Sequence, residues 1–142
     1  MRVTRAERPI AGAGVVLIEN GKVLLVRRGQ PPRAGEWSLP GGKQILGETA
    51  RECALRELNE ETGLEAEIVG LVDVIDALFR DDKGQLTHHY LLTDFAARRT
   101  GGELEAAGDA SEAAWFSLES LDELGLWAET LRVIREARKL MP

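Results

Sequence analysis

One stretch of 23 residues, Gly42 to Leu64, constrains this chain more than any other part of it. It reads GKQILGETARECALRELNEETGL. Thr49, followed three residues later by Glu52, is a capping-box pattern, and such a pattern marks the start of a helix. Gly63 stands where a helix ends in a left-handed residue. The stretch therefore predicts a helix from about Thr49 to Thr62.

The predicted helix carries three carboxylates within five residues, Glu57, Glu60 and Glu61. At about 100° per residue, Glu57 and Glu61 lie one turn apart with Glu60 beside them, on the side that also holds Cys53 and Ala54. Two interpretations are open: a solvated charged face, or a site that holds a cation. Because small apolar residues share the side, we predict that all three carboxylates face inward, where they need protons or cations.

Carboxylates alone, without sulfur or imidazole ligands, favour the hard ions Mg²⁺ and Mn²⁺. Mg²⁺ keeps several waters and takes further ligands from substrate phosphates, so the cluster points to phosphate chemistry. Gly41 and Gly42 precede the helix, and glycine lets a backbone approach a ligand closely. An ordinary turn is the alternative for this Gly-Gly pair.

The remaining segments predict an α/β protein with a mixed sheet packed between helices. Asn20-Gly21 separates two apolar runs and predicts a hairpin. The other expected elements are a short strand at Glu36–Leu39, two strands around the turn RDDKGQ, a last strand at AAWFSL, and a helix with apolar Leu131, Ile134, Ala137 and Leu140.

Length and charge limit the functions to consider. With 142 residues we expect one domain, 1–142. The net charge of −6 argues against nucleic acid or an anionic membrane as partner. The single Cys53 excludes an intrachain disulfide. The segment MRVTRAERPI is unlike a signal peptide, and no apolar run is long enough to span a bilayer, so we expect a cytoplasmic protein.

Read in full, the stretch resembles the signature box of the Nudix hydrolases at every defined position. Segments outside it are similar to the same family: LLVRR before it, GEWSLPGG leading into it and AAWFSLESL near the end. The defined positions are Gly42, Glu48, Arg56-Glu57-Leu58, Glu60-Glu61 and Gly63-Leu64. The resemblance implies an α/β/α sandwich and a single Nudix domain.

Nudix hydrolases cleave the pyrophosphate bond of a nucleoside diphosphate linked to another group, using Mg²⁺ or Mn²⁺. The resemblance implies that Glu57 and Glu61 are the main metal ligands and that Glu60 completes the cluster. It implies a further ligand in the carbonyl of Gly41. Arg56 is then expected to pair with a glutamate of the box and hold its rotamer.

Glu48 is expected to tie the loop to the helix or to contact a metal through water. A plain surface ion pair is the alternative for Arg56 and Glu48. The general base stays open among Glu61, Glu112 and Asp109.

Several residues are candidates for binding the nucleotide. Arg27 and Arg28 end a strand and suit phosphates or a ribose, and strand alternation allows at most one of them into the cleft. The backbone at Gly42 is expected to approach the ligand. Four aromatic side chains are candidates for stacking on a base, with core packing as the alternative: Trp37, Phe79, Tyr90 and Trp127.

The substrate is open at this stage. No proline lies between Pro40 and Pro142, so the proline that marks the ADP-ribose branch of the family is missing. The layout still resembles the ADP-ribose pyrophosphatase or MutT-like group most. The alternatives are a nucleoside triphosphate pyrophosphohydrolase and a non-catalytic nucleotide sensor, although the complete set Glu57, Glu60 and Glu61 favours an enzyme. A homodimer is compatible with the sequence.

Overall fold

Seven strands and two α-helices make up the part of the chain described by the computed structural model, residues 7–31 and 33–142. The first six residues of the N-terminal segment considered above lie outside this range. The elements in chain order are β1 (Ile10–Glu19), β2 (Lys22–Arg28), β3 (Trp37–Ser38), β4 (Gly41–Lys43), α1 (Ala50–Thr62), β5 (Leu64–Arg80), β6 (Leu86–Gly102), β7 (Ala110–Ser117), a short 3₁₀ helix (Leu121–Leu124) and α2 (Ala128–Leu140).

The strands form a mixed sheet, as the sequence predicts. Its main order is β3-β2-β1-β6-β5, with β4 paired to β1 and β7 paired to β2. β1 and β6 run parallel, whereas β5 and β6 pair in antiparallel register over most of their length. The α/β fold class is therefore confirmed.

The hairpin between β1 and β2 has the predicted turn. Glu19 pairs with Lys22, and Asn20 and Gly21 both have positive φ, 52° and 74°. A two-residue turn with φ above zero at both positions matches the twist of the strands that it joins, and Asn-Gly adopts it readily.

Alternating residues of β1 supply two hydrophobic cores, one on each face of the sheet. Val15 belongs to the core that contains Cys53 and Leu58 of α1, and Val16 to the core that contains Ile134 of α2. Successive side chains of a strand point to opposite faces, so one apolar strand anchors both helices. The helices thus cover the sheet from two sides, and no helix within the described residues has the length and apolarity that crossing a membrane requires.

The capping box at the start of α1 is confirmed. The Thr49 hydroxyl accepts from the Glu52 N–H at 3.1 Å, and the Glu52 carboxylate accepts from the Thr49 N–H at 3.1 Å. Gly63 ends the helix in the left-handed region, with φ 74°. Both ends of the helix that carries the motif are therefore fixed by local hydrogen bonding.

Two details of the secondary structure differ from expectation. Strand β4 was not predicted, because Gly41–Lys43 is short and glycine-rich, and it forms only by pairing with Gly12, Ala13 and Gly14 of β1. Leu140, placed on the apolar face of α2, is 45% exposed, and Val133 is buried instead. Helical periodicity therefore does not predict burial in the last turn of α2.

Candidate active site

A cavity of about 400 Å³ lies where β1, β4 and β6 meet the start of α2 and the loop between β2 and β3. Carboxylates of α1 line one part of it and aromatic side chains line another. Among the predicted site residues, the lining includes Gly41, Gly42, Glu57, Glu61, Arg28 and Trp37, and also Asp109, Phe79, Tyr90 and Trp127.

Glu57 and Glu61 are the two helix carboxylates that reach the cavity. The Glu61 carboxylate accepts a hydrogen bond from the Gly41 N–H at 2.8 Å and is only 6% exposed. Burial raises the pKa of Glu61 to about 7 against the effect of that hydrogen bond, and the negative charges of Glu57 and Asp109 act in the same direction as burial. Burial also raises the pKa of Glu57, although its bond to Arg56 opposes the change. Two partly buried carboxylates with raised pKa values form a site that favours a cation.

The glycines before the helix make room for these carboxylates. A Cβ on Gly42 would lie 2.5–2.7 Å from the carboxylate atoms of Glu57, and a Cβ on Gly41 would lie 2.4 Å from the Ala13 carbonyl oxygen. Only glycine therefore lets β4 pass between β1 and α1 at this distance. The backbone of Gly42 thus lies directly against the Glu57 carboxylate, which also lines the cavity.

Arg56 joins the helix to the loop before it. Its Nε and Nη2 donate to the two oxygens of Glu48 at 2.6 and 2.9 Å, and its Nη1 donates to Glu57 at 2.9 Å. The Lys43 carbonyl accepts from the same guanidinium at 3.1 Å. The Arg56 guanidinium lowers the pKa of Glu48 to about 2, which keeps that carboxylate ionised. Arg56 was expected to pair with one glutamate of the box, and it pairs with both Glu48 and Glu57. The side chains of Arg56, Glu48 and Glu57 are 25%, 13% and 14% exposed, less than those of a plain surface pair.

Glu60 does not face inward, so the prediction that all three carboxylates share the buried side is wrong for this residue. Its side chain is 52% exposed and accepts from Arg56 Nη1 at 3.1 Å. One turn separates Arg56 from Glu60, a spacing that lets the two side chains meet on the helix surface. Among the described residues, no three acidic, histidine or cysteine side chains converge as a complete metal site.

The donors that do reach the cavity fit a hard divalent ion. Glu57, Glu61 and Asp109 offer oxygen ligands only, which suits Mg²⁺ or Mn²⁺ better than softer metals. Such an ion takes several ligands from water and phosphate, so a set of few protein carboxylates is adequate.

A β-bulge decides which residues of β2 and β7 face the cavity. Arg27 pairs in register with Glu112, but Arg28 pairs with Ala110, so Ser111 is the extra residue. A bulge re-aims the side chains next to it. Arg28 lines the cavity and its charge acts to lower the pKa of Glu61.

Arg27 and Glu112 lie outside the cavity lining. Arg27 Nη1 donates to Glu112 at 3.3 Å, and both side chains are about half exposed, 44% and 56%. Of the three candidates for the general base, Asp109 and Glu61 therefore line the cavity, and Glu112 does not.

Asp94 of β6 is a cavity residue that the sequence reasoning missed. It is 6% exposed, and its Oδ1 would lie 2.6 Å from a Cβ on Gly14. Burial raises the pKa of Asp94 to about 7, and the charge of Asp73 adds to the increase. The available signal was an aspartate inside the otherwise apolar strand segment YLLTDFAA.

Four aromatic rings also line the cavity: Trp37, Phe79, Tyr90 and Trp127. Trp37 packs edge-on against Phe116, with ring centroids 4.8 Å apart, and Phe79 packs edge-on against Tyr90 at 6.1 Å. Arg33 of the β2–β3 loop lies over two rings, with its Cζ 5.1 Å from the centroid of Phe79 and 5.0 Å from that of Trp127. No sequence pattern indicated Arg33, because the loop conformation that brings it there depends on both rings.

Comparison with known proteins assigns this arrangement to a family. The family model described as "NUDIX domain" matches residues 8–137. An ADP-ribose pyrophosphatase of Methanocaldococcus jannaschii is 36% identical over 116 residues, which are 82% of this chain and 66% of that protein. The human 8-oxo-dGDP phosphatase NUDT18 is 35% identical over 111 residues, which are 75% of this chain and 32% of that protein. The chain thus spans about two thirds, or less, of the length of these relatives.

Among solved structures, a MutT NUDIX hydrolase from Burkholderia pseudomallei superposes with a TM-score of 0.79 at 29% identity. The match covers 92% of this chain and 98% of that one. The fold described above therefore extends over nearly all of that solved chain.

Proposed function

The chain belongs to the Nudix hydrolase family, and from this premise we propose that it is a pyrophosphohydrolase of a nucleoside diphosphate linked to another group, dependent on Mg²⁺ or Mn²⁺. One observation carries the proposal: the buried Glu61 and the partly buried Glu57 lie in the same cavity as several aromatic rings. One part of the cavity suits a cation and phosphates, and the other suits a planar base. An ADP-ribose-like nucleotide contains both groups, and the relative from Methanocaldococcus jannaschii is an ADP-ribose pyrophosphatase.

Glu57 and Glu61 would hold the ion, with the Gly41 carbonyl as a further ligand; Glu60, the third ligand that the motif implies, would have to turn inward from its ion pair with Arg56 to join them. The ion would supply neutralisation of the phosphates and activation of a water. The Gly41 N–H fixes the Glu61 carboxylate at 2.8 Å, and the Arg56 guanidinium fixes Glu57 at 2.9 Å. Fixed oxygens of this kind need no reorganisation when charge develops on the phosphates.

Asp109 and Glu61 are better placed than Glu112 to accept the proton of the attacking water. Both line the cavity, whereas Glu112 is paired with Arg27 at 3.3 Å. Arg28, which also lines the cavity, is placed to contact a phosphate. Trp37 and the other aromatic rings provide apolar surface for the base.

The test is a substrate panel with purified protein. It contains ADP-ribose, other nucleoside diphosphate sugars, dinucleoside polyphosphates, and normal and oxidised nucleoside triphosphates, each with Mg²⁺ or Mn²⁺ and with EDTA. We expect one class to be hydrolysed preferentially and EDTA to abolish turnover. Tight nucleotide binding without turnover would instead favour a sensor, and preference for triphosphates would favour the housecleaning alternative.

Glu61→Gln tests the site itself. The amide keeps the size of the side chain but is a poor ligand for Mg²⁺, so we expect turnover to fall by at least about 100-fold with the fold retained. Glu123→Gln, at an exposed position of the 3₁₀ helix, is the matched control. Wild-type activity in Glu61→Gln would refute the metal assignment.

A further inference from the structure

One face of the sheet is only partly covered by a helix. Helix α1 packs on the part of this face that includes Val15, Phe95 and Ala97. Between that part and the turn that joins β5 to β6, four large apolar side chains remain 39–49% exposed: Leu71, Val74, Leu78 and Leu91. These four residues are called the apolar face below.

The register of β5 and β6 places the four side chains on one side of the sheet. Leu71 lies opposite Phe95, and Leu91 lies opposite Asp76. Directly opposed residues of an antiparallel pair point to the same side, with Cβ atoms about 5 Å apart. Phe95 and Leu91 are an even number of residues apart on β6, and the other two members of the apolar face flank Asp76 at even spacing on β5. All four therefore lie on the side that carries α1.

The apolar face is large enough to form the centre of a specific contact. Nearly half of each of four large side chains amounts to roughly 300 Å² of apolar surface, an extent that is often functional. Interfaces are a little over half apolar on average, so this surface corresponds to a contact of roughly 500 Å² per copy, or about 1,000 Å² in total. A total of about 1,000 Å² is the lower limit for a specific interface, so it supports a dimer of modest affinity.

The charges at the apolar face suit a second copy of the same surface. Arg51 of α1 lies at its border, with Cζ 5.1 Å from the centroid of Phe95. Asp76 lies among the apolar side chains, contacts His89 at 2.8 Å and is 60% exposed. A contact between identical surfaces requires a surface that complements itself, and one that carries both signs of charge can do so. The net charge of −6 disfavours nucleic acid or an anionic membrane as the occupant.

The backbone edge of β5 is less suited to a contact between copies than the apolar face. Within residues 7–31 and 33–142, β5 is the last strand in the order of the sheet. Its register with β6 shifts between Ile68 and Gly70 and again between Leu71 and Asp73. Bulges of this kind bend a strand and interrupt continuous pairing along its edge. A second copy is therefore expected on the face and not on the edge.

We propose that the apolar face binds a second copy of this chain about a two-fold axis and forms a homodimer with a dissociation constant in the micromolar range. Because α1 stands on the same side, the two sheets fit together when they cross at a large angle, as orthogonally packed sheets do. In this arrangement Arg51 of each copy approaches Asp76 of the other, so the pair occurs twice. The residues of this contact are distinct from those that line the cavity, and the proposal is independent of the proposed hydrolysis.

Sedimentation velocity of the purified protein at concentrations from about 1 to about 200 μM tests the dimer. We expect the mean mass to rise from that of one chain toward that of two. Leu78→Lys should raise the dissociation constant at least about tenfold, because the two-fold axis places the new charge in the apolar contact twice. Leu140→Lys is the matched control: Leu140 is 45% exposed on α2, on the other side of the sheet, and its substitution should change the dissociation constant by no more than about twofold.

Charge reversal tests which residues meet across the two-fold axis. Arg51→Glu and Asp76→Arg should each weaken the homodimer, since each places like charges together at both pairs. Mixed in equal amounts, the two variants should form a heterodimer in which both pairs again have opposite charges. Native mass spectrometry with one variant isotope-labelled measures this species. Failure of the mixture to recover the dimer would overturn the pairing of Arg51 with Asp76.

The remaining outcomes separate the dimer from the surface that forms it. A wild type that stays monomeric up to about 200 μM would overturn the proposal and leave the apolar face to a different partner. A dimer that Leu78→Lys and Leu140→Lys weaken equally would overturn the assignment to this face. Val74→Lys gives a second reading of the same contact, and circular dichroism of each variant shows whether it is folded. A folded Val74→Lys variant that dimerises like the wild type would also overturn the assignment.

Discussion

Replacing Asp94 by asparagine removes an ionisable group from the cavity wall while it keeps the size of the side chain. The folded protein raises the pKa of Asp94 from its ordinary value of 3.8 to about 7, chiefly by burial. Between about pH 4 and pH 7 the folded state therefore keeps a proton that the unfolded chain has lost. The free energy of unfolding therefore falls as the pH rises through this window. Above about pH 7 the contribution of Asp94 no longer changes with pH.

The magnitude follows from the width of the window. From about pH 5 to about pH 7 the loss is two pH units at about 1.36 kcal/mol each, or about 3 kcal/mol. Water in the cavity weakens the effect because Asp94 keeps 6% of its surface exposed, so we expect about 1.5 to 3 kcal/mol. The asparagine side chain cannot ionise, and Asp94→Asn should gain this amount over the wild type between the two pH values.

The assay is urea unfolding of both proteins with EDTA at about pH 5, 6, 7 and 8. The difference in unfolding free energy between variant and wild type isolates Asp94, because Glu61 and the other groups titrate in both proteins. Asp82→Asn, in the exposed turn between β5 and β6, is the matched control for the loss of one carboxylate. A difference for Asp94→Asn that stays constant with pH within about 0.5 kcal/mol would refute the reasoning.

Two further predictions concern the helix that carries the carboxylates. Gly42→Ala places a Cβ 2.5–2.7 Å from the Glu57 carboxylate, so we expect kcat/KM to fall by about 100-fold through displacement of Glu57. Gly47→Ala is the control: its φ of 90° makes alanine strained there too, but the added Cβ meets open space and leaves Glu57 in place. Equal losses of kcat/KM in the two variants would contradict this reasoning. Burial raises the pKa of the Cys53 thiol to about 11 and leaves it 0% exposed, so iodoacetamide at about pH 8 should label it only as fast as the protein unfolds, as mass spectrometry with and without urea can measure. Rapid labelling of the folded protein would show that α1 opens locally.

The features that the sequence predicted correctly are those determined by interactions between residues close together in the chain. The capping box at Thr49 and the terminal Gly63 depend on residues at the two ends of α1. The hairpin turn likewise depends on its own two residues, Asn20 and Gly21. The inward positions of Glu57 and Glu61 follow from helical spacing because the buried side of α1 is defined by Cys53 and Leu58.

The residues that sequence reasoning missed depend on partners far along the chain. Glu60 lies beside Glu57 and Glu61 by helical spacing, yet its side chain is half exposed and pairs with Arg56. Asp94 becomes a cavity residue only because β6 pairs with the glycines of β1. Arg33 reaches the cavity through contacts with Phe79 and Trp127, which lie in distant parts of the sequence. Contacts of this kind arise from tertiary packing, and no local pattern predicts them.

The two fixed ends of α1 have a consequence for the energetics of substrate binding. Thr49 and Glu52 close one end, Gly63 closes the other, and the Gly41 N–H holds Glu61 against the neighbouring strand. Ordering these groups costs conformational entropy during folding, so that cost does not recur each time a nucleotide binds. We therefore expect the carboxylates to show the same low mobility with and without ligand.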